Sequence, residues 1–368
     1  MKVLISGGGT GGHIYPAIAI ANKIREEIKG VEILFVGTEK GLESQLVPKA
    51  GYKLEIITIR GFKRKLSIDT IFSIKDLFLG IKDAAKIIKK FKPDLVIGTG
   101  GYVCGPVVFI ASLLNIKTII HEQNVVPGMT NKILSKFVDK ILVSFEESKD
   151  YFYNSNKIVV TGNPVRKDFI DVNKHACRKA LGIADDSFVV MAFGGSRGAK
   201  KINETMAEVL MKFNGRKDIY MILITGSNHY KNILEMLNKH NFKLKDNIRV
   251  MEYAYDMAMY MGASDLVMCR AGAITLAEVT AMGLPTILIP SPYVANNHQE
   301  YNAKVLEKTG AAVLLPEKEL TSKNIINLVN VFLNDKNRLK EMEAKSKELA
   351  KPNATDMIYT NILNLIRS

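Results

Sequence analysis

The sequence predicts an α/β protein made of two halves, each with a parallel sheet covered by helices. Short apolar runs of strand length alternate with segments of helical periodicity along the whole chain. The pattern restarts after Gly162-Asn163-Pro164, and each half opens with a strand that runs into a glycine cluster. A length of 368 residues is also enough for about two domains.

The first half contains seven apolar runs. The first, Lys2–Ser6, precedes the glycines at 7–12, and a helix is expected from Tyr15 to Ile28 with Pro16 in its first turn. The other predicted strands are Glu32–Val36, Leu54–Thr58, Leu95–Gly98, Thr118–His121, Lys140–Val143 and Ile158–Thr161. Apolar strands separated by helices favour a parallel sheet that is buried on both faces.

The second half repeats this order. A charged helix is expected at Lys174–Leu181, followed by a strand at Ser187–Phe193. The other predicted strands are Tyr220–Thr225, Ile248–Glu252, Asp265–Cys269, Thr286–Pro290 and Ala312–Leu315. A last helix is predicted to begin after Pro352 and to run to about Ile366, and its apolar positions need a surface to cover.

Composition excludes several classes of protein. The chain is 47% hydrophobic and 24% charged, which rules out a disordered chain. Cys104, Cys177 and Cys269 lie far apart, so neither a disulfide framework nor a zinc knuckle is expected, and they suit a reducing compartment as small buried residues. Glycines interrupt the two long uncharged stretches, residues 3–22 and 95–116, so we expect a soluble chain.

Half of the net charge of +14 comes from residues 60–92, which hold ten Lys/Arg and three Asp. Large apolar residues lie between these charges, a pattern that suits docking on anionic lipid. The residues expected to dock are Phe62, Lys63, Arg64, Lys65, Phe72 and Leu79. The alternative is a solvated helix with a wide core-facing stripe. No nucleic-acid motif accompanies the charge, so nucleic acid is not an expected partner.

The first glycine cluster is a candidate binding loop. Gly7, Gly9 and Gly12 match G-x-G-x-x-G, which in a dinucleotide site would place pyrophosphate at the helix N-terminus. The next residue is His13, and the positive end of a helix favours a neutral imidazole that can act as a base. A histidine that caps the helix or supports a neighbour is the alternative.

Two further polar segments follow strands of the first half. Gly100, Gly101 and Tyr102 belong to a second glycine loop that opens a helix, and two such loops could floor an anion site. Tight packing at the turn is the alternative. The segment 121–124, His-Glu-Gln-Asn, offers a carboxylate and amides that could orient hydroxyl groups.

The second half has its own glycine loop, 194–199, and a glycine-started helix near 270–278. Thr275 and Glu278 share a helix face, and a capping box is the alternative explanation for the pair. Seven hydrogen-bonding side chains crowd residues 296–303, ahead of a further helix. There is no Asp-x-Asp triplet and no spaced metal-ligand set, so helix N-termini, arginine and hydroxyls would neutralise a bound diphosphate, and no metal or other cofactor is expected.

Seven motifs, in order from residue 8 to residue 303, resemble those of the MurG family of glycosyltransferases. They are Gly-Gly-Thr-Gly-Gly-His (8–13), Gly-Gly-Tyr-Val (100–103), His-Glu-Gln-Asn (121–124), Gly-Asn-Pro-Val-Arg (162–166), Gly-Gly-Ser-Arg-Gly-Ala (194–199), Arg-Ala-Gly-Ala-Ile-Thr-Leu-Ala-Glu (270–278) and Asn-His-Gln-Glu-Tyr-Asn-Ala (297–303). Each motif alone is unspecific, but seven in order are highly specific.

The resemblance implies a GT-B fold, with two Rossmann-like domains whose parallel sheets face a deep cleft. Residues 1–163 would take the lipid acceptor and associate with the membrane, and the helix at about 353–368 would pack back on them. Residues 164–352 would bind the UDP-sugar. The implied reaction is inverting transfer of N-acetylglucosamine from UDP-N-acetylglucosamine to the 4-hydroxyl of undecaprenyl-diphospho-N-acetylmuramoyl-pentapeptide, in peptidoglycan synthesis. The implied location is the anionic cytoplasmic face of the cell membrane, as a peripheral protein.

The resemblance also implies roles for individual residues. His13 is the expected base, and Glu122 is the second choice. The expected donor contacts are Arg166 and Ser196 for the diphosphate, Glu278 for the ribose, and Ala273, Ile274 and Thr275 where a helix meets the donor. Ala254 matches the position whose backbone contacts uracil, where the family commonly has isoleucine. Asn124 and Gln299 match residues that select the sugar hydroxyls, Thr10, Gly11 and Gly12 match first-loop contacts, and Gly100, Gly101 and Tyr102 would hold the acceptor diphosphate.

Three other functions remain open from sequence. A glycolipid synthase acting on diacylglycerol would share the glycine loops and differ in its acceptor half. A peripheral module that only binds nucleotide would release no UDP. A UDP-sugar epimerase would need no lipid.

Overall fold

The computed structural model describes residues 1–61, 68–239 and 242–367, with main chain alone at 68–72 and 74. The chain divides into two compact units. Unit 1 comprises residues 1–164 and 351–368, and unit 2 comprises residues 165–350. From sequence, the boundaries between the units were expected after residue 163 and after residue 352, and the structure places them after residue 164 and after residue 350.

Unit 1 contains a seven-stranded parallel sheet in the order β3-β2-β1-β4-β5-β6-β7. Its strands are β1 Lys2–Gly7, β2 Glu32–Gly37, β3 Lys53–Ile56, β4 Leu95–Gly100, β5 Lys117–Glu122, β6 Lys140–Val143 and β7 Ile158–Val160. Its helices are α1 Gly11–Glu27, α2 Glu43–Lys49, α3 Ile68–Phe91, α4 Cys104–Leu113, α5 Met129–Leu134 and the C-terminal helix Ala354–Arg367. Each apolar run predicted as a strand in the first half forms one.

Helices cover both faces of this sheet. Helices α3, α4 and α5 bury Ile88, Val107 and Leu134 against one face. Helices α1 and α2 and the C-terminal helix cover the other face, where Ile358 and Ile362 are fully buried. The apolar stripe predicted for the last helix therefore packs within unit 1, against α1 and β5.

The strand order reverses between β1 and β4, and ligands of open α/β sheets bind at this kind of point. Both glycine loops of the first half leave the sheet there. Helix α1 begins at Gly11, four residues before the expected start, because the Thr10 carbonyl accepts from the amides of His13 and Ile14. His13 therefore lies in the first turn of α1.

Unit 2 contains a six-stranded parallel sheet in the order β10-β9-β8-β11-β12-β13. Its strands are β8 Phe188–Phe193, β9 Ile219–Ile224, β10 Ile248–Met251, β11 Leu266–Cys269, β12 Thr286–Leu288 and β13 Ala312–Leu314. Its helices are α6 Lys174–Leu181, α7 Lys200–Phe213, α8 Tyr230–Lys239, α9 Met257–Ala263, α10 Ala273–Met282, α11 His298–Lys308, α12 Ser322–Asn334 and α13 Lys336–Glu348. The strand order reverses between β8 and β11, so the glycine segments at 194–199 and 270–272 both start at this reversal.

Two parallel α/β sheets confirm the predicted fold class. Cys104 and Cys269 are buried as expected, whereas Cys177 is partly exposed. Among the helices of the described ranges, none combines the length and apolar character needed to cross a bilayer.

Candidate functional site

The two glycine loops of unit 1 interlock at the end of the sheet. The Gly8 amide donates to the Gly100 carbonyl at 3.3 Å. A Cβ on Gly101 would lie 2.3 Å from the Gly8 oxygen, and Gly101 has a φ of +84°. Only glycine fits this close approach of two backbones. The tight-packing explanation for the second loop is therefore correct as far as Gly101 is concerned.

The His13 imidazole is fixed by the same loop. Its Nδ1 lies 3.0 Å from the Gly8 carbonyl oxygen and 3.4 Å from Thr10 Oγ1. Since a carbonyl only accepts, Nδ1 carries the hydrogen, and the neutral ring then presents Nε2 as an acceptor. A Cβ on Gly100 would lie 3.0 Å from Nε2, so glycine leaves room at that nitrogen. Because the ring contacts a carbonyl rather than a helix amide, His13 does not cap α1.

Glu43, at the start of α2, is hydrogen-bonded to this loop. It was not predicted as a site residue from sequence. Its side chain is fully buried. Its Oε2 accepts from the Gly9 amide at 3.0 Å, and its Oε1 accepts from the Thr38 amide at 3.0 Å and the Thr38 hydroxyl at 2.7 Å. Because Glu43 occupies the Gly9 amide, that amide is not available to a bound ligand.

Glu122, the second-choice base, is buried at the end of β5 with its oxygens occupied. Oε1 accepts from the backbone and side-chain nitrogens of Asn124 at 3.0 and 3.2 Å. Oε2 accepts from the Gly128 amide at 3.1 Å and Asn131 Nδ2 at 2.9 Å. Four donors make Glu122 the organiser of the β5–α5 loop, and they orient Asn124.

His121 is fully buried beside Glu122. Burial lowers the pKa of its imidazole, and a hydrogen bond with the Gly162 carbonyl at 3.0 Å opposes this. Gln123 Nε2 lies 3.0 Å from the other ring nitrogen. His121 is therefore neutral, and its hydrogen bond with Gly162 holds the backbone near the end of the segment 1–164 of unit 1.

In unit 2, the loop between β8 and α7 packs on the loop after β9. A Cβ on Gly198, which has a φ of +78°, would lie 1.9 Å from the Thr225 carbonyl oxygen. Gly195 has a φ of +92°, and a Cβ there would meet no described atom within 4 Å. The adjacent Ser196 is exposed. The Gly198 end of the loop is thus packed tightly against the Thr225 backbone, whereas the Gly195-Ser196 end is exposed near the N-terminus of α7.

Helix α10 starts directly after the other glycine segment. Its N-cap is Gly272, so Thr275 and Glu278 lie inside the helix, and the capping-box explanation for this pair is wrong. Burial raises the pKa of Glu278 to about 7, while the charge of Arg166 opposes the rise and Asp168 adds to it. Arg166 lies over the Phe169 ring at 4.7 Å, with an exposed guanidinium.

A pocket of about 1210 Å³ lies among these unit 2 segments. Gly194 and Gly195 line it from the first loop, Gly272 and Thr275 from the start of α10, and Gln299 from α11. The Gln299 Oε1 accepts from the Ser291 amide at 2.8 Å, so Nε2 is the group it offers a ligand. Helix α11 begins at His298, so most of the polar cluster at 296–303 is helical rather than a loop.

Arg270 and Glu317 form part of the same pocket wall. The guanidinium donates to the carbonyls of Ile289 and Pro290 at 3.1 and 3.2 Å, and it pairs with the Glu317 carboxylate. These contacts tie three segments together. Arg270 belongs to one of the seven motifs, but no role was predicted for it from sequence.

Comparison with known proteins identifies the family. Two family models match, the glycosyltransferase family 28 N-terminal domain over residues 3–143 and the corresponding C-terminal domain over residues 189–358. A curated relative from Acetivibrio thermocellus, named UDP-N-acetylglucosamine--N-acetylmuramyl-(pentapeptide) pyrophosphoryl-undecaprenol N-acetylglucosamine transferase, is 50% identical over 100% of this chain and 99% of its own. The chain belongs to the MurG family.

Solved structures agree with this assignment. Acinetobacter baumannii MurG is 28% identical, with a TM-score of 0.78 over 99% of both chains. A UDP-GlcNAc 2-epimerase from Neisseria meningitidis, solved with UDP-GlcNAc, shares the fold at 17% identity, with a TM-score of 0.68 over 99% of this chain and 100% of its own. The protein is therefore a glycosyltransferase with the GT-B fold.

The remaining residues expected from the MurG family divide between the units. Thr10, Gly11, Gly12 and Asn124 belong to unit 1. Arg166, Ser196, Ala254, Ala273, Ile274, Thr275, Glu278 and Gln299 belong to unit 2. Ala254 is buried beyond the end of β10, between the exposed Tyr253 and Tyr255. In the parts of this MurG-family chain that are described, no group of three metal-ligating side chains occurs.

The expected docking residues are only partly described. Phe62, Lys63, Arg64 and Lys65 lie outside the described residues, and Phe72 lies on α3 with its main chain alone. Leu79 is 39% exposed, and the neighbouring Phe78 is 68% exposed. Exposed apolar side chains also occur on α4 and around α5, which sequence analysis missed because they are spread over distant segments. They are Leu113, Leu114, Met129, Ile133 and Phe137.

Proposed function

We propose that this chain transfers N-acetylglucosamine from UDP-N-acetylglucosamine to the 4-hydroxyl of the muramoyl group of undecaprenyl-diphospho-muramoyl-pentapeptide, with inversion. The observation that carries the proposal is the 50% identity, over essentially full length, to a curated relative named for this transfer. The pocket in unit 2 supports it, since it offers helix N-termini beside a glutamine amide.

Unit 2 is assigned the donor. The open end of the 194–199 loop and the first amides of α7 and α10 supply orphan N–H donors and the positive ends of two helix dipoles. Arg166 adds a full positive charge. These groups can hold a diphosphate and stabilise it as the leaving group without a bound cation. Ribose hydroxyls would bind Glu278, and the sugar would bind Gln299 Nε2.

Unit 1 is assigned the acceptor and the base. The acceptor hydroxyl attacks the anomeric carbon, the bond to the UDP oxygen breaks, and the hydroxyl proton passes to His13 Nε2. We assign His13 rather than Glu122, because Glu122 already accepts four hydrogen bonds whereas the His13 tautomer leaves Nε2 unprotonated. Gly100, Gly101 and Tyr102, with Thr10, Gly11 and Gly12, are assigned the acceptor diphosphate.

A radiolabel assay tests the reaction directly. The purified chain, UDP-[14C]N-acetylglucosamine and the lipid-linked muramoyl pentapeptide should give a labelled lipid disaccharide and one UDP per transfer. UDP-N-acetylgalactosamine should give far less product. Transfer to diacylglycerol instead would indicate a glycolipid synthase, and conversion of the donor without lipid would indicate an epimerase. UDP binding without any UDP release would leave only a binding module.

The metal-free diphosphate site has its own test. UDP affinity, measured by calorimetry, should be the same with Mg²⁺ and with EDTA. Strict dependence of UDP binding on a divalent ion would contradict the assignment.

We also propose that unit 1 docks on anionic membrane through one side of its sheet. Helices α3, α4 and α5 cover this side, and each contributes exposed apolar residues, as Phe78, Leu113 and Ile133 show. Exposed lysines lie among them at Lys82, Lys132 and Lys136. Apolar side chains surrounded by basic ones bind the interface of anionic bilayers. A peripheral location on the cytoplasmic face would follow from the lipid acceptor.

Vesicle sedimentation tests the docking surface. The double variant Phe78→Ser/Ile133→Ser and the triple variant Lys63→Ser/Arg64→Ser/Lys65→Ser should both lose binding to phosphatidylglycerol vesicles. The matched control Val331→Ser removes an exposed apolar residue of unit 2 and should leave binding intact. Full binding by both unit 1 variants would reject this surface.

A further inference from the structure

One peptide group joins the buried carboxylate of Glu43 to the imidazole of His13. The amide of Gly9 and the carbonyl of Gly8 belong to the same peptide unit. Its N–H donates to Glu43 Oε2 at 3.0 Å, and its oxygen accepts from His13 Nδ1 at 3.0 Å. The chain of contacts therefore runs from a carboxylate, through one planar amide, to the ring.

The chain around Glu43 is shaped to admit this side chain. A Cβ on Gly8, Gly37 or Gly41 would lie 2.7, 2.5 or 2.2 Å from a Glu43 atom. Three donors address the two carboxylate oxygens, which is the pattern of an ionised group. A fully buried carboxylate in this position is costly unless its hydrogen bonds are maintained, so the loop is held to it closely.

We propose that Glu43 is a positioning residue for His13 and that it acts through the Gly8–Gly9 peptide in the way a directly bonded carboxylate acts in a histidine–aspartate pair. The inference rests on the proposed role of His13 as the base. A negative charge at the N–H end polarises the amide and makes the Gly8 oxygen a stronger acceptor. The stronger acceptor holds the proton on Nδ1 and stabilises the imidazolium that forms when Nε2 takes the substrate proton. No proton crosses the peptide.

Other titratable groups on the elements packed against this loop do not make that connection. The Tyr102 ring lies against Gly9, where a Cβ would be 3.5 Å from Tyr102 Cε1. The Cys104 thiol donates to the Ser6 carbonyl, and burial raises its pKa to about 12, so it stays neutral. Glu122, on β5, is bonded to its own loop. Among the described side chains, Glu43 supplies the carboxylate that is hydrogen-bonded to the His13 loop.

The test compares Glu43→Gln with two nearby variants. Glu43→Gln keeps the size of the side chain but removes its charge. Its kcat should fall about 10–100-fold, less than the whole contribution of a general base. The acidic limb of its kcat–pH profile should move to lower pH by about half a unit, since a nearby negative charge favours the protonated ring. UDP affinity should be unchanged, because UDP is assigned to unit 2.

Thr38→Val removes one donor to Glu43 but keeps the carboxylate, and Glu39→Gln neutralises an exposed glutamate of the same connection. Both variants should keep the acidic limb of the kcat–pH profile where wild type has it. Nitrogen-15 NMR of the free protein, with the His13 signal assigned by its loss in His13→Ala, should show the Nδ1-protonated tautomer in wild type and a mixture in Glu43→Gln.

An unmoved acidic limb and an unchanged tautomer in Glu43→Gln would overturn the inference, whatever the loss of kcat, because a purely structural role predicts that outcome. Full turnover in His13→Ala would instead reject the base assignment itself. The two failures are therefore distinguishable.

Discussion

The two units share the position of a glycine loop at a sheet reversal, but the two loops differ in what their backbone groups contact. In each, a glycine loop leaves the first strand where the strand order reverses. In unit 1, the loop is closed by its own side chains, with the Glu43 carboxylate on the Gly9 amide and His13 on the Gly8 carbonyl. In unit 2, Gly195 lies open, since a Cβ there would meet no described atom within 4 Å, and Ser196 beside it is exposed.

The contrast shows that a glycine loop at a sheet reversal does not define a ligand by itself. The loop of unit 2 keeps its positive end available, which suits an anion. The loop of unit 1 has a carboxylate on one amide and supports a histidine, which suits proton transfer.

Replacing the base should have the largest effect. His13→Ala should lower kcat by about 10²–10⁴-fold, the usual contribution of a general base. UDP affinity should be unchanged, since UDP is assigned to unit 2. Steady-state kinetics and calorimetry check both. The control His175→Ala removes an exposed histidine of unit 2 and should behave as wild type. Near-wild-type turnover in His13→Ala would remove it from the role.

Removing the cation of the donor site should act mainly on binding. Arg166→Ala should weaken UDP affinity and raise the donor KM by about 10–100-fold, because a charged hydrogen bond contributes about 1.5–3 kcal/mol. Arg216→Ala is the matched control, since Arg216 is similarly exposed, pairs with Asp218 and packs on Phe213. A donor KM for Arg166→Ala equal to that of Arg216→Ala would count against the assignment.

Substituting Gly195 in the open loop of unit 2 should weaken UDP binding about tenfold, at the low end of the effect expected for Arg166→Ala. Gly195 has a left-handed backbone conformation that costs about 1–2 kcal/mol for a residue with a Cβ, so Gly195→Ala disfavours the loop conformation assigned to the diphosphate. Gly182→Ala carries the same kind of penalty, at φ +70° with no described atom within 4 Å, after helix α6. Only Gly195→Ala should change UDP affinity. Equal UDP affinity in the two variants would separate this loop from the diphosphate.

The smallest expected effect is on stability. Folding raises the pKa of Glu278 from 4.5 to about 7, so the folded state prefers the protonated carboxyl, and stability falls as pH rises through this range. Glu278→Gln should therefore raise Tm at pH 8 by about 2–4 °C, for about 1 kcal/mol. The gain should shrink toward pH 4.5. Exposed Glu235→Gln should show no such trend, and a pH-independent Tm difference for Glu278→Gln would contradict the account.

Much of the fold was accessible from sequence. Every predicted strand formed, because buried parallel strands require continuous apolar runs. Helix starts were less predictable. Helical periodicity with Pro16 in the first turn predicted a start of α1 at Tyr15. The helix begins at Gly11 because the Thr10 carbonyl accepts from the amides of His13 and Ile14. The start of α10 at Ala273, with Gly272 as its N-cap, likewise places Thr275 and Glu278 inside the helix rather than at its cap.

The candidate site could be predicted from sequence where its residues form a contiguous motif, as in the glycine loops. It could not be predicted where function depends on contacts between residues that are distant in sequence. Glu43 reaches Gly9 across 34 positions, and Arg270 reaches Glu317 across 47. No local pattern marks either pair. Gly8, Gly37 and Gly41, which leave space for the Glu43 side chain, are the trace of this contact in the sequence.

The division of roles between the two glycine loops can be tested by amide hydrogen exchange with and without UDP. UDP should slow amide exchange in residues 194–199 and at the start of α10, while residues 8–13 should exchange at the same rate with and without UDP. Protection of residues 8–13 by UDP, with residues 194–199 unaffected, would contradict this division of roles.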